Sequence, residues 1–159
     1  WRQALRKQRR ARHARRKGRG KRRMIYGIGV DTASAARLEK SIAHAHFVQR
    51  VFGPEERALL QGHSPARRAE TAAANFAAKE ALAKALGTGL SGFVWVQAQA
   101  LRAPNGAPYF AFSGRLAGTM RQKGLAAHLS ITHEGGFATA FVVLEQAARP
   151  AAHTTEATE

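Results

Sequence analysis

Apolar residues recur at helical spacing over residues 34–52, where Leu38, Ile42, Ala45, Val48 and Phe52 fall on one stripe behind a capping Thr32 or Ser34. One amphipathic helix is expected there, stopped by Gly53-Pro54. A shorter helix follows over 55–61. The run Gly62-His63-Ser64-Pro65 then breaks the pattern before an Ala-rich helix over about 67–86, with Gly87 where a C-terminal cap belongs. From Phe93 the period drops to two, Val94, Val96, Ala98 and Ala100 alternating with Trp95, Gln97 and Gln99 as in a half-buried strand. Asn105-Gly106 favours a tight hairpin into a strand over 109–112. A helix over 114–123 follows, and strands over 127–132 and 137–145 pair across Gly135-Gly136. With a short β-rich run over 25–30 at the front, the pattern predicts an α+β domain in which an antiparallel sheet packs with a long central helix.

Composition adds boundaries to this picture. The chain is 45% apolar over 159 residues, enough for one modest core, placed at residues 24–146. A formal net charge of +16 would ordinarily point to nucleic acid or an anionic membrane. Yet 13 of the 26 Lys and Arg lie in residues 1–23, which contain no Asp or Glu, and the remainder sets 13 basic residues against 10 acidic ones. Basicity therefore belongs to an arm with almost no apolar periodicity, expected to be disordered. It reads either as a nucleic-acid or targeting arm or as upstream sequence without a dedicated role, because the chain opens on Trp1 and Met24 begins the patterned region. Residues 147–159, rich in Ala, Thr and Glu, read as a flexible C-terminal tail. The lack of cysteine excludes disulfides, thiolate metal sites and cysteine nucleophiles, and agrees with a cytoplasmic protein. No stretch approaches the length of a membrane span, so no membrane partner is expected.

Candidate chemistry concentrates in two segments. Gly27-Ile28-Gly29-Val30-Asp31 places a carboxylate at the end of the first β-rich run, and Phe76 to Gly87 carries Glu80 and Lys84 one turn apart on one helix face. Two carboxylates suit Mg²⁺, which takes oxygen ligands, keeps several waters and is commonly held by one or two carboxylates plus substrate phosphates. The structural alternative is that Asp31 caps the next helix while Glu80 pairs with Lys84. Gly87-Thr88-Gly89-Leu90-Ser91-Gly92 could cradle a phosphate, though it lacks the Gly-Lys-Ser/Thr ending of a P-loop. Gly27 and Gly29 make no dinucleotide fingerprint and are expected instead to permit close packing beside Asp31. Ser130 and His133, three apart on a strand, face opposite sides and make no nucleophile and base pair.

These segments, in order, resemble the holo-acyl-carrier-protein synthase family, the small bacterial 4'-phosphopantetheinyl transferases. The resemblance runs through Gly27-Ile28-Gly29-x-Asp31 with Arg37 six residues later, and through Phe76-x-x-Lys79-Glu80-Ala81-x-x-Lys84-x-x-Gly87. It continues in Gly106-x-Pro108-Tyr109 and in Ser130-x-Thr132-His133. It implies the 4'-phosphopantetheinyl transferase-like fold and an Mg²⁺-dependent enzyme of fatty acid biosynthesis. Such an enzyme moves phosphopantetheine from coenzyme A to a serine of apo acyl carrier protein and releases adenosine 3',5'-bisphosphate. Asp31 and Glu80 would hold the metal, and Asp31, Glu80 and Lys84 would carry the catalysis. Lys84, Gly87, Thr88, Gly89, Ser130 and His133 would contact coenzyme A. Arg37, Lys40 and Arg50 would receive the carrier, and three subunits would share active sites between neighbours. Either Glu80 or a ligand-bound water would accept the serine proton. Asn75 departs from the family, which commonly has arginine there, and Arg67 or Arg68 could replace a lost phosphate contact. The rival readings are a nucleic-acid-binding protein acting through the arm and a catalytically silent carrier binder.

Overall fold

In the computed structural model, residues 23–90 and 92–147 are described, and Ile25–Gln146 form one compact unit. Apart from Arg23 and Ala147 at strand ends, the expected arm and tail lie outside the described residues. The order is β1 (Arg23–Ser34), α1 (Ala35–Ile42), α2 (Ala45–Val51), α3 (Pro54–Gln61), α4 (Pro65–Leu86), a 3₁₀ turn (Trp95–Gln97), β2 (Ala98–Arg102), β3 (Pro108–Phe112), α5 (Gly114–Gln122), β4 (Leu125–Glu134) and β5 (Phe137–Ala147). The expected mixture of helices, antiparallel strands and one long helix is what the chain forms.

Strands β1, β5 and β4 make a three-stranded sheet in that order, and β2 pairs with β3 in a separate ribbon. Strands β4 and β5 are antiparallel, with Ser130 opposite Phe141 and His133 opposite Ala138. Ala35 N–H donates to the Gly136 carbonyl and the Thr32 and Thr139 hydroxyls meet at 2.9 Å, so β1 also runs antiparallel to β5. Alternation gives the sheet one buried face, with Ala138, Ala140, Val142 and Leu144, and one open face.

The buried face lies on α4, which is enclosed almost all round: from Ala72 to Leu86 only Glu80 and Lys84 are not buried. Alanine makes this possible by keeping the helix narrow. At β1 the approach is closer still. A Cβ on Gly27 would fall on the Ala85 carbonyl oxygen, and one on Gly29 on that of Ala81. Those two glycines permit the close packing expected beside Asp31.

Two expected elements differ. The single helix over 34–52 is two helices, because His44 adopts extended backbone (φ −94°, ψ 110°) and starts a new turn. The break lets Phe47 and Val51 turn inward while Leu38 stays buried in α1. The half-buried strand expected from Phe93 begins only at Ala98. Residues 95–97 form the 3₁₀ turn because their polar groups serve other elements: the Trp95 carbonyl accepts from Lys79, and the Gln97 side-chain oxygen accepts from Leu116 N–H at the start of α5. Ala98, Gln99 and Ala100 are all buried, so the true strand does not alternate. The boundaries of the other helices fall within two residues of expectation, and Gly87 caps α4 in the left-handed conformation (φ 71°).

Gly29→Ala should lower the unfolding free energy by about 1–3 kcal/mol, because the added methyl meets backbone that cannot rotate away. Urea denaturation reads this directly, and an unchanged midpoint would refute the close approach of β1 to α4.

Candidate active site

Odd-numbered residues of β1 face α4, so the glycine contacts deliver the next inward side chain, Asp31, beside Glu80. Ser34, not Asp31, caps α1, its hydroxyl accepting from Arg37 N–H at 3.4 Å, so the capping alternative for Asp31 fails. Lys84 Nζ pairs with Asp31 Oδ1 at 2.8 Å and also donates to the Val30 carbonyl at 2.9 Å. The Asp31 side chain is 13% exposed and that of Lys84 53%, so the carboxylate is fixed while the ammonium borders solvent.

Burial pushes the Glu80 carboxyl above the usual carboxylate range; the Asp31 carboxylate beside it, and a hydrogen bond between the two, add to the rise. Lys84 and Arg37 act in the opposite sense, so Arg37 also belongs to this cluster. Asp31, Glu80, Lys84 and Arg37 thus converge from β1, α4 and α1. Two crowded carboxylates with cations at the rim fit a hard divalent cation, which would relieve their repulsion, as do two ligands with room for water and phosphate. Among the described residues no group of three or more His, Cys, Asp or Glu forms a fuller metal site.

The other expected residues are distributed elsewhere. Gly87, Thr88 and Gly89 follow within about one turn of Lys84 and are exposed, with Gly89 also in the left-handed region (φ 61°). Ser130 lies on the open face of the sheet opposite Phe141. His133 lines two adjoining hollows of about 250 and 400 Å³ that share it with Glu70. The larger is also lined by Arg67, Thr71 and Arg102, making it a cationic cleft. Arg68 faces elsewhere, donating Nε–H to the Leu60 carbonyl at 3.0 Å. Asn75 is fully buried with neither amide atom hydrogen-bonded, so it offers no substitute for a phosphate-binding arginine. Of the two arginines, Arg67 lines that cleft and Arg68 does not. Lys40 and Arg50 are exposed on α1 and α2. A further hollow of about 610 Å³, between the α1–α2 and α3–α4 pairs, is lined by Arg68 but by no other of these residues.

Sequence reasoning missed the role of Lys79 and all of Glu56. Lys79 Nζ pairs with Glu56 Oε2 at 2.7 Å with both side chains fully buried, and also donates to the carbonyls of Val51 and Trp95. Glu56 accepts in addition from Gly53 and Ala100 N–H. The available signal was Gly53-Pro54-Glu55-Glu56, which puts a carboxylate at the third residue of α3, where it can reach back to the preceding N–H.

The family model for the 4'-phosphopantetheinyl transferase superfamily matches residues 27–142. This chain belongs to that superfamily. A holo-[acyl-carrier-protein] synthase of Herminiimonas arsenicoxydans is 43% identical over 133 residues, covering 77% of this chain and 99% of its own. Another transferase of the superfamily, the holo-(acyl-carrier-protein) synthase of Bacillus anthracis, has been solved in complex with CoA (3',5'-ADP). It is 35% identical with a TM-score of 0.67, covering 77% of this chain and 98% of its own. The holo-[acyl-carrier-protein] synthase of Neisseria meningitidis gives 34% identity and a TM-score of 0.69, covering 77% and 100%. The fold is therefore that of the phosphopantetheinyl transferases.

The raised Glu80 carboxyl has a measurable cost. Between its ordinary and its raised pKa the native state binds a proton that the unfolded state does not, so stability falls as pH rises through that window. In chelator, Glu80→Gln should therefore raise the Tm at pH 8 by about 2–5 °C, with the gain shrinking as pH falls toward the ordinary carboxylate range. A lower Tm at pH 8 would show that the two carboxylates do not repel.

Proposed function

We propose that the chain is a holo-acyl-carrier-protein synthase, transferring phosphopantetheine from coenzyme A to a serine of apo acyl carrier protein in fatty acid biosynthesis. The observation that carries this reading is the Asp31 and Glu80 pair, the crowded carboxylates that α4 leaves uncovered, with Lys84 held against one of them. Asp31 and Glu80 would hold Mg²⁺, which when bound neutralises charge on the pyrophosphate and its leaving group.

The chain's own residues do the rest. Lys84, half exposed and one turn beyond Glu80, is placed to balance negative charge developing on the departing adenosine 3',5'-bisphosphate. The new bond joins the serine oxygen to the phosphorus of phosphopantetheine, the phosphoanhydride bond breaks, and the serine proton passes to Glu80 or to a ligand-bound water beside it. Gly87, Thr88 and Gly89, beside Lys84, and the cleft of His133 with Arg67 and Arg102 supply contacts for the phosphates of coenzyme A. Ser130 remains in this reading as a contact on the sheet's open face.

Arg37, Lys40 and Arg50 form an exposed basic edge on α1 and α2 suited to an acidic carrier, in an interaction that weakens as salt rises. The open face of the sheet carries Ile28, Val30, Phe137 and Phe141, each at least 45% exposed, a patch suited to further copies of the chain. In the homotrimer that the family resemblance implies, the acidic pair of one subunit and the coenzyme A cleft of the next would together form one active site. No helix among the described residues is long and apolar enough to cross a membrane, and a cytoplasmic location goes with this reading.

Incubated with apo acyl carrier protein, coenzyme A and Mg²⁺, the protein should add phosphopantetheine to the carrier, read by intact mass. Asp31→Ala and Glu80→Ala should each lower the rate at least about 100-fold while leaving the fold intact. An unmodified carrier with folded wild-type protein would overturn the reading.

A further inference from the structure

Arg37 faces Glu80, yet among the described residues its guanidinium makes no hydrogen bond or ion pair. What lies beside it is the Phe76 ring, 5.7 Å from guanidinium carbon to centroid. That ring is itself boxed. Trp95 stacks on it at 5.2 Å and 13°, and Phe47 flanks it at 6.2 Å. Trp95 is held twice over, edge-on against Phe93 at 5.4 Å and by its carbonyl, which accepts from the buried Lys79 at 2.7 Å. We propose that Trp95 is a positioning residue for Arg37: its stack on Phe76 fixes the ring face on which the guanidinium rests, and the Glu56–Lys79 pair anchors the Trp95 backbone.

This rests on the reading of Arg37 as a carrier contact. An exposed arginine loses rotamer freedom when it grips a partner's carboxylate, and a ring face that already holds it reduces that loss. Trp95 touches no reacting group, so its effect should fall on carrier recognition and leave coenzyme A handling alone. The two residues should also be coupled, since removing Arg37 leaves Trp95 nothing to position.

The test uses the full chain with saturating coenzyme A and varied apo carrier, in a cycle of Trp95→Leu, Arg37→Ala and the double variant. Trp95→Leu should raise the KM for carrier about fivefold, with kcat and the KM for coenzyme A within about twofold of wild type. Trp95→Phe, which keeps a stacking ring, should restore most of the loss. In the Arg37→Ala background, Trp95→Leu should add less than about twofold. Equal factors with and without Arg37, or no change on Trp95→Leu, would overturn the proposal while leaving the carrier reading of Arg37 standing. An Arg37→Ala variant with unchanged carrier KM would overturn both. Should Trp95→Leu fail to fold, Trp95→Met takes its place in the same cycle.

Discussion

A contact between two backbones governs this structure: β1 lies directly on α4 where Gly27 and Gly29 meet the carbonyls of Ala85 and Ala81. No side chain intervenes, so the distance between strand and helix is set by peptide groups and cannot be retuned by repacking. Because strand residues alternate, the same contact fixes Asp31 on the helix side, where Glu80 is one of two breaks in the burial of α4 from Ala72 to Leu86. The acidic pair thus follows from the two glycines and the alanine-rich helix together. Its repulsion raises the Glu80 carboxyl and is held in place by packing that the pair does not itself supply.

Two lysines of α4, Lys79 and Lys84, serve opposite ends. Lys79 points into the protein and is matched in full, with Glu56 and two carbonyls accepting its three protons; burial raises the Glu56 carboxyl and lowers the Lys79 ammonium, and their pairing opposes both shifts. Such a buried pair adds little net stability, but losing one partner strands a charge at a cost of about 3–5 kcal/mol. It ties α3, the end of α2 and the 3₁₀ turn to one point on the helix. Lys84 shows the contrary design: its half-exposed ammonium borders solvent and can turn to a new anion, and the Asp31 carboxylate it would leave is one of the two groups that would hold the cation.

Much of this was legible in the sequence, for physical reasons that differ by element. The long helix, the hairpin turn and the β4–β5 pairing carry strong local signals in alanine content, Asn-Gly and Gly-Gly. Asp31, Glu80, Lys84 and Arg37 came from motif order, and the structure brings these four together. The break at His44 was hidden because Ala45 and Val48 continue the stripe of Leu38 and Ile42, so periodicity could not show a change of direction. The 3₁₀ turn was hidden because alternation from Val94 to Ala100 looks like a strand whether or not Trp95 and Gln97 are engaged by Lys79 and α5. Glu56 was unreadable as a core residue because a carboxylate near a helix start ordinarily faces water. The cationic cleft gathers Arg67, Arg102 and His133 from three elements, and only topology joins them.

The most direct measurement is a crystal structure of this chain with coenzyme A and Mg²⁺. The expected density is a cation held by both the Asp31 and Glu80 carboxylates and by pyrophosphate oxygens, with Lys84 turned toward the phosphates. A coenzyme A whose pyrophosphate lies away from Asp31 and Glu80, or a cation that leaves both carboxylates untouched, would contradict the assignment of the acidic pair as the reaction centre.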